Sequence, residues 1–195
     1  MKTWTTLFRR VIWSSSRVYD TYRRLRFPRN PDRDRDYRLW VGGYPRSANT
    51  FTAGCLKFSA NGEWVAHHLH TPLDVDRAVQ TGRPGIFLIR EPRPAVISWC
   101  IHNSQSLSAC LDYYIDFHRF LLPSHEDLFI ATFQEATRRM DGLLARFQAT
   151  FDLSLQPIEM TEAFVQGRFR ELENRFRDST GALQDMQAHS TANAH

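Results

Sequence analysis

The chain has 195 residues, 42% of them hydrophobic, enough for one sizeable core, and its size favours a single domain over two. Its formal net charge of +4 is carried by arginine, since Lys2 and Lys57 are the only lysines, and guanidinium forks suit a phosphate- or carboxylate-bearing ligand. Cys55, Cys100 and Cys110 lack the spacing of a zinc site, so no metal is expected; without a long apolar run near the start, the chain reads as a cytoplasmic protein with reduced thiols.

From Trp4 to Phe27, Trp4, Leu7, Val11, Val18, Tyr22 and Leu25 fall at helical spacing among Arg9, Arg10, Arg17, Arg23, Arg24 and Arg26. This predicts a basic amphipathic helix, suited to packing its stripe on the domain or to lying on an anionic membrane or partner. Residues 1–36 are expected to form this helix and a polar linker, Pro28 to Asp36. An α/β core is expected over 37–178 and a polar tail over 179–195.

Beyond Arg38, short apolar runs alternate with helical patterns, as in parallel strands joined by crossover helices. Strands are predicted at Leu39–Gly43, Glu63–His67, Gly85–Ile89 and Leu128–Phe133. Helices are predicted at Thr50–Phe58, Leu73–Thr81, Pro94–Asn103, Ser108–Leu121 and Glu135–Phe151. The expected fold is a three-layer α/β sandwich with a mainly parallel central sheet. Ligands of such sheets bind beyond the carboxyl ends of the strands, so the residues there carry the functional reading.

After the first strand comes Gly43-Tyr44-Pro45-Arg46-Ser47-Ala48-Asn49-Thr50-Phe51. Amides at a helix start, with the Ser47, Asn49 and Thr50 side chains, can surround a phosphate while Arg46 adds charge. It is not the G-x-x-x-x-G-K-[ST] loop of ATP-dependent kinases, because no lysine is present. The second strand runs into His67-His68-Leu69-His70-Thr71-Pro72, and a neutral imidazole there can accept a hydroxyl proton. The third runs into Arg90-Glu91-Pro92, with Ser98 on the next helix. The fourth ends near Phe133.

The run Tyr44 to Phe51 resembles the 5′-phosphosulfate-binding loop, commonly Y-P-K-S-G-T-T-W, of sulfotransferases that use 3′-phosphoadenosine 5′-phosphosulfate (PAPS). Arg46 stands in the lysine position, Phe51 in that of the tryptophan that stacks on adenine, and Ala48 where the family has glycine. Arg90 and Ser98 resemble the family's 3′-phosphate signature, R-N-P-x-D-x-x-x-S, at the same separation. His70 with Pro72 is similar to the K-T-H-x-P segment of the family's general base, which puts His68 in the lysine position; Glu63 is a third candidate base, because some branches use a carboxylate. Phe133 matches the tyrosine that lines the adenine pocket.

The resemblance implies a P-loop-like sulfotransferase architecture and in-line sulfuryl transfer from PAPS to an acceptor hydroxyl, without a nucleic-acid partner. His70 would serve as base, Arg46 would neutralise the leaving group, and Ser47, Ala48, Asn49, Thr50, Phe51, Arg90, Ser98 and Phe133 would hold the cofactor. The family's late R-K-G-x-x-G-x-W loop has no counterpart; Arg168, Arg170, Arg175, Arg177 and Gly181 are the nearest residues. Two rival readings are a P-loop-type nucleotide phosphotransferase and a non-catalytic anion-binding module using the N-terminal helix.

Overall fold

The structure is a computed structural model that describes residues 12–13, 15–26 and 37–170. The predicted stretch up to Val11, the linker Pro28–Asp36, the polar tail, and Arg175, Arg177 and Gly181 lie outside the described residues. The elements are α1 Ser16–Arg26, β1 Leu39–Gly43, α2 Asn49–Ser59, β2 Val65–Leu69, α3 Pro72–Gln80, β3 Gly85–Ile89, α4 Pro92–Asn103 and α5 Leu107–Leu121. A 3₁₀ turn at Leu122–Asp127 follows, then β4 Ile130–Thr132, α6 Phe133–Arg138, α7 Met140–Phe151 and a helix over 162–170, here α8.

All strand pairs are parallel, in the order β2-β1-β3-β4. The central strands are apolar throughout because helices cover both faces; every residue of β1 is buried. On one face Leu39, Val41, Val65, Ile86 and Leu88 pack against α2 and α7. On the other, Trp40, Ala66, Leu69 and Phe87 pack against α3, α4 and α5. This division follows from handedness. The chain moves one way along the sheet from β1 to β2 and the other way from β2 to β3, so right-handed crossovers place α2 and α3 on opposite faces. The reversal leaves the carboxyl ends of β1 and β3 side by side at a topological switch point.

Three predicted boundaries are corrected. The second strand starts and ends two residues later than Glu63–His67. The edge strand β2 changes register between the pairs Trp40–Ala66 and Gly42–Leu69, and the extra residue returns Leu69 to the core. The fourth strand stops at Thr132, because Thr132 caps a helix: its hydroxyl accepts from the Glu135 amide while the Glu135 carboxylate accepts from the Thr132 amide. That reciprocal capping box starts α6 at Phe133. The single helix expected over Glu135–Phe151 is two, separated at Arg139 (φ −142°, ψ 44°). The α8 helix has no counterpart among the predicted elements; it reaches the core through Phe164, Val165 and Phe169.

The described part of the N-terminal segment packs on the domain. Ile12, Trp13 and Tyr19 are buried with Leu73, and Asp20 receives two hydrogen bonds from Arg77 on α3, at 2.5 and 3.0 Å. No helix among the described residues is long and apolar enough to cross a membrane.

Candidate anion site at the switch point

Gly43 ends β1 where only glycine fits. Its φ is +152°, and a Cβ there would lie 2.5 Å from the Leu88 carbonyl oxygen and 2.9 Å from Asn49 Oδ1. Tyr44 follows, fully buried among Tyr113, Tyr114 and Phe117, its hydroxyl donating to the Cys110 carbonyl at 3.1 Å. Asn49 closes the loop from the other side by donating to the carbonyls of Gly43 and Tyr44, at 3.2 and 3.1 Å. The turn between these anchors is tight. Arg46 (φ 68°) and Ala48 (φ 69°) are both left-handed, which costs a residue with a Cβ about 1–2 kcal/mol. Ala48 is the N-cap of α2 and has no side chain with which to cap it, so the first amides of α2, at the positive end of the helix, receive no side-chain acceptor from the N-cap.

The two arginine motifs meet here. Arg90 leaves the end of β3 and donates from Nη1 to the Arg46 carbonyl at 2.8 Å. Arg46 donates from Nε to Ser98 Oγ at 3.0 Å. Tyr114 accepts no role in charge but fixes the strand end, donating to the Arg90 carbonyl at 2.7 Å. The Arg90 guanidinium lies 4.0 Å over the Phe133 ring, so Phe133 reaches the site from the first turn of α6. Burial lowers the pKa of Arg46. Burial, followed by repulsion from Arg46, lowers that of Arg90. Among the described residues neither guanidinium is paired with a carboxylate. Four buried polar atoms around the loop have no protein partner: Ser47 Oγ, Asn49 Oδ1, Thr52 Oγ1 and Arg90 Nε. Two cations, a helix start without a side-chain cap and three buried groups able to donate, Ser47 Oγ, Thr52 Oγ1 and Arg90 Nε, make a candidate cradle for an anion, whereas Asn49 Oδ1 can only accept.

His70 is the first residue beyond β2, a consequence of the later strand end, whereas His68 lies within the strand and its side chain is outside the described residues. The His70 carbonyl accepts from Tyr113 OH at 2.6 Å, and Tyr113 also touches the Tyr44 ring. Just past His70, Thr71 caps α3 by accepting from the Asp74 amide, and both Thr71 and Tyr19 donate to Asp74 Oδ2 at 2.8 Å. The backbone on either side of His70 is therefore held by Tyr113 and by the Tyr19–Thr71–Asp74 network. Sequence reasoning missed that network; the Thr71-Pro72-Leu73-Asp74 run, a capping threonine followed by a proline at the first helical position, was its readable signal.

Two predicted residues are not brought to the cradle. Phe51 is 6% exposed and stacks on Phe169, ring centres 5.3 Å apart, so one face of its ring is already covered and the side chain belongs to the core. Glu63 pairs with Arg38 at 2.7 Å; each stands just before a strand, β2 and β1 respectively, at the amino edge of the sheet. That is one strand length, about 16 Å, from the loop. Of the residues considered for the late loop, Arg168 lies over the Phe58 and Phe164 rings, away from the α2 start, and Arg170 is exposed at the end of α8. No group of three or more His, Cys, Asp or Glu among the described residues is arranged to hold a metal ion. No family model, no curated protein and no solved structure matches this chain.

Proposed function

We propose that the chain is a sulfotransferase that binds PAPS and moves its sulfuryl group to an acceptor hydroxyl. The observation that carries this reading is the meeting of Arg46, Ser98 and Arg90: residues 52 positions apart in the chain join by a 3.0 Å hydrogen bond, in the order and spacing of the family's two phosphate motifs. The fit to a nucleotide with two separated anionic groups rests on the unpartnered buried donors Ser47 Oγ and Arg90 Nε and on the uncapped start of α2. Ser47, Asn49, Thr50 and the α2 amides would hold the 5′ end, and Arg90 with Ser98 the 3′-phosphate.

When bound, PAPS supplies a sulfur whose bond to the 5′-phosphate oxygen breaks as its bond to the acceptor oxygen forms, leaving adenosine 3′,5′-bisphosphate. His70 accepts the acceptor's proton. Its Nδ1 is shut off from solvent, which makes Nε2 the nitrogen for the task. Arg46 faces the charge that grows on the leaving phosphate, and as a fixed guanidinium it needs little reorganisation to do so. Tyr113 and the Thr71 cap orient His70 through its backbone.

A thermal-shift panel tests the reading, since a ligand that binds only the folded state raises the melting temperature. Adenosine 3′,5′-bisphosphate should stabilise the protein and ATP with Mg²⁺ should not. Stabilisation by ATP with Mg²⁺ alone would point to a phosphotransferase instead.

A further inference from the structure

The exposed side of α5 is aliphatic. Leu107, Leu111 and Ile115 follow one another at four-residue spacing, and Leu122, which still holds helical φ and ψ at the C-cap, is exposed with them. At about 100° per residue the four fall within an arc of about 80°. The buried side of the same helix is apolar too, through Cys110, Phe117 and Leu121, while Asp112 is half-buried and Asp116 buried. A helix that is apolar on both sides calls for cover on both sides. We propose that a second copy of this chain covers the outer side, through an antiparallel α5–α5 contact about a twofold axis at Ile115. The inference does not rest on the sulfotransferase reading.

The surface is large enough for that partner. The α4 helix packs beside α5 on the same face of the sheet, and its outer side adds Ile97 and Ile101, one turn apart. The six aliphatic side chains are each between 41% and 65% exposed. Together they offer on the order of 500 Å² of apolar surface, the size at which a patch marks an interaction site. A standard interface buries about 800 Å² per partner, which these six supply together with their polar border. That border also distinguishes the occupant. A stripe facing a bilayer carries a rim of lysine and arginine, whereas here Asp112, Glu126 and Asp127 stand beside Arg119.

The pattern is self-complementary. A twofold axis reverses the helix direction, so the residue on the axis meets itself and residues equally far before and after it are brought opposite one another. The stripe from Leu107 to Leu122 has its midpoint between Tyr114 and Ile115, and Asp112 and Arg119 have theirs between Ile115 and Asp116. Asp112 and Arg119 also fall on one flank of the stripe, about 20° apart around the helix. Neither is ion-paired within the chain among the described residues. The operation that lays the aliphatic stripe on itself therefore sets Arg119 of each copy beside Asp112 of the other. Ridges at four-residue spacing interdigitate when two helices pack.

Sedimentation of the full chain over roughly 1–100 μM tests this, because self-association responds to concentration. Wild type should be dimeric at the upper end. Ile115→Glu, which places two carboxylates at the axis, should be monomeric throughout; because Ile115 is exposed, its circular dichroism should match wild type. Phe58→Glu, at a similarly exposed position on α2 across the sheet, should dimerise as wild type does. Arg119→Asp should weaken association at least tenfold, and Asp112→Arg combined with Arg119→Asp should restore it to within about threefold. Monomeric wild type, a dimer that survives Ile115→Glu, or no restoration by the paired swap would overturn the proposal. So would a monomer that binds phosphatidylcholine–phosphatidylserine vesicles and loses that binding in Ile115→Glu, a result that assigns the stripe to a bilayer.

Discussion

Replacing Ala48 by glycine changes one methyl group and tests the geometry of the phosphate loop directly. Ala48 holds φ 69° and ψ 19°, a conformation that costs a residue with a Cβ about 1–2 kcal/mol and glycine almost nothing. Against that gain stand glycine's greater freedom in the unfolded chain, about 0.4–1 kcal/mol, and the half-buried methyl that packs against the α2–α7 core, at most about 0.8 kcal/mol. The terms nearly balance and leave Ala48→Gly slightly stabilising, by about 0.5 kcal/mol, a rise of roughly 1–2 °C for a chain of this size. Ala48→Val adds two methyl groups at a φ that β-branched residues avoid, and should lower stability by more than about 1 kcal/mol. Calorimetric melting of the three proteins reads both signs. If Ala48→Gly melts several degrees lower while Ala48→Val is unchanged, the loop does not hold this conformation.

Four further outcomes follow from the same contacts. Tyr19→Phe removes a donor from buried Asp74 and should cost about 1–3 kcal/mol in denaturant unfolding; because Thr71 adjoins His70, turnover should fall as well. His118 is held below its ordinary pKa by burial, with its Nδ1 bonded to the Tyr114 carbonyl at 2.8 Å acting in the opposite direction. The unfolded chain therefore binds more protons, so stability present above about pH 6.5 is lost as pH falls toward the folded pKa; His118→Gln should flatten that limb of a stability-versus-pH curve. Burial pushes the Cys55 thiol up to about 12, with Arg168 opposing, and at pH 8 an alkylating reagent should modify Cys100 while sparing Cys55. His70→Ala should abolish most turnover with little change in nucleotide affinity; normal turnover would assign the proton transfer to another group.

The central strands were readable because β1 and β3 are buried on both faces and so appear as unbroken apolar runs. The positions of Arg90 and Ser98, one just past a strand end and the other two turns into the next helix, were readable for a similar reason, but it is Arg46 that joins them, donating to Ser98 and accepting from Arg90 through its carbonyl. Local hydrogen bonding decided what periodicity left open. Apolar pattern alone carried the fourth strand through Phe133, but the Thr132–Glu135 capping box converts Phe133 into a helical residue, which is how its ring comes beneath Arg90. The bulge in β2 has no local signature in a run of histidines; it shows only in the register with β1, and it decides that His70 rather than His68 emerges at the strand end. Phe51 was misread because an aromatic at a helix start suits stacking on a ligand and packing in a core alike, and Phe169, far along the chain, chose the second.

Titration calorimetry with adenosine 3′,5′-bisphosphate tests the paired-arginine site most directly. Wild type should bind one equivalent without Mg²⁺, and Arg90→Ala, which removes the bond to the Arg46 carbonyl and an unpartnered buried donor, should bind roughly 10–100-fold more weakly, as expected for a charged hydrogen bond. Failure of wild type to bind, or equal affinity in Arg90→Ala, would contradict the assignment of the switch-point cradle as a nucleotide site.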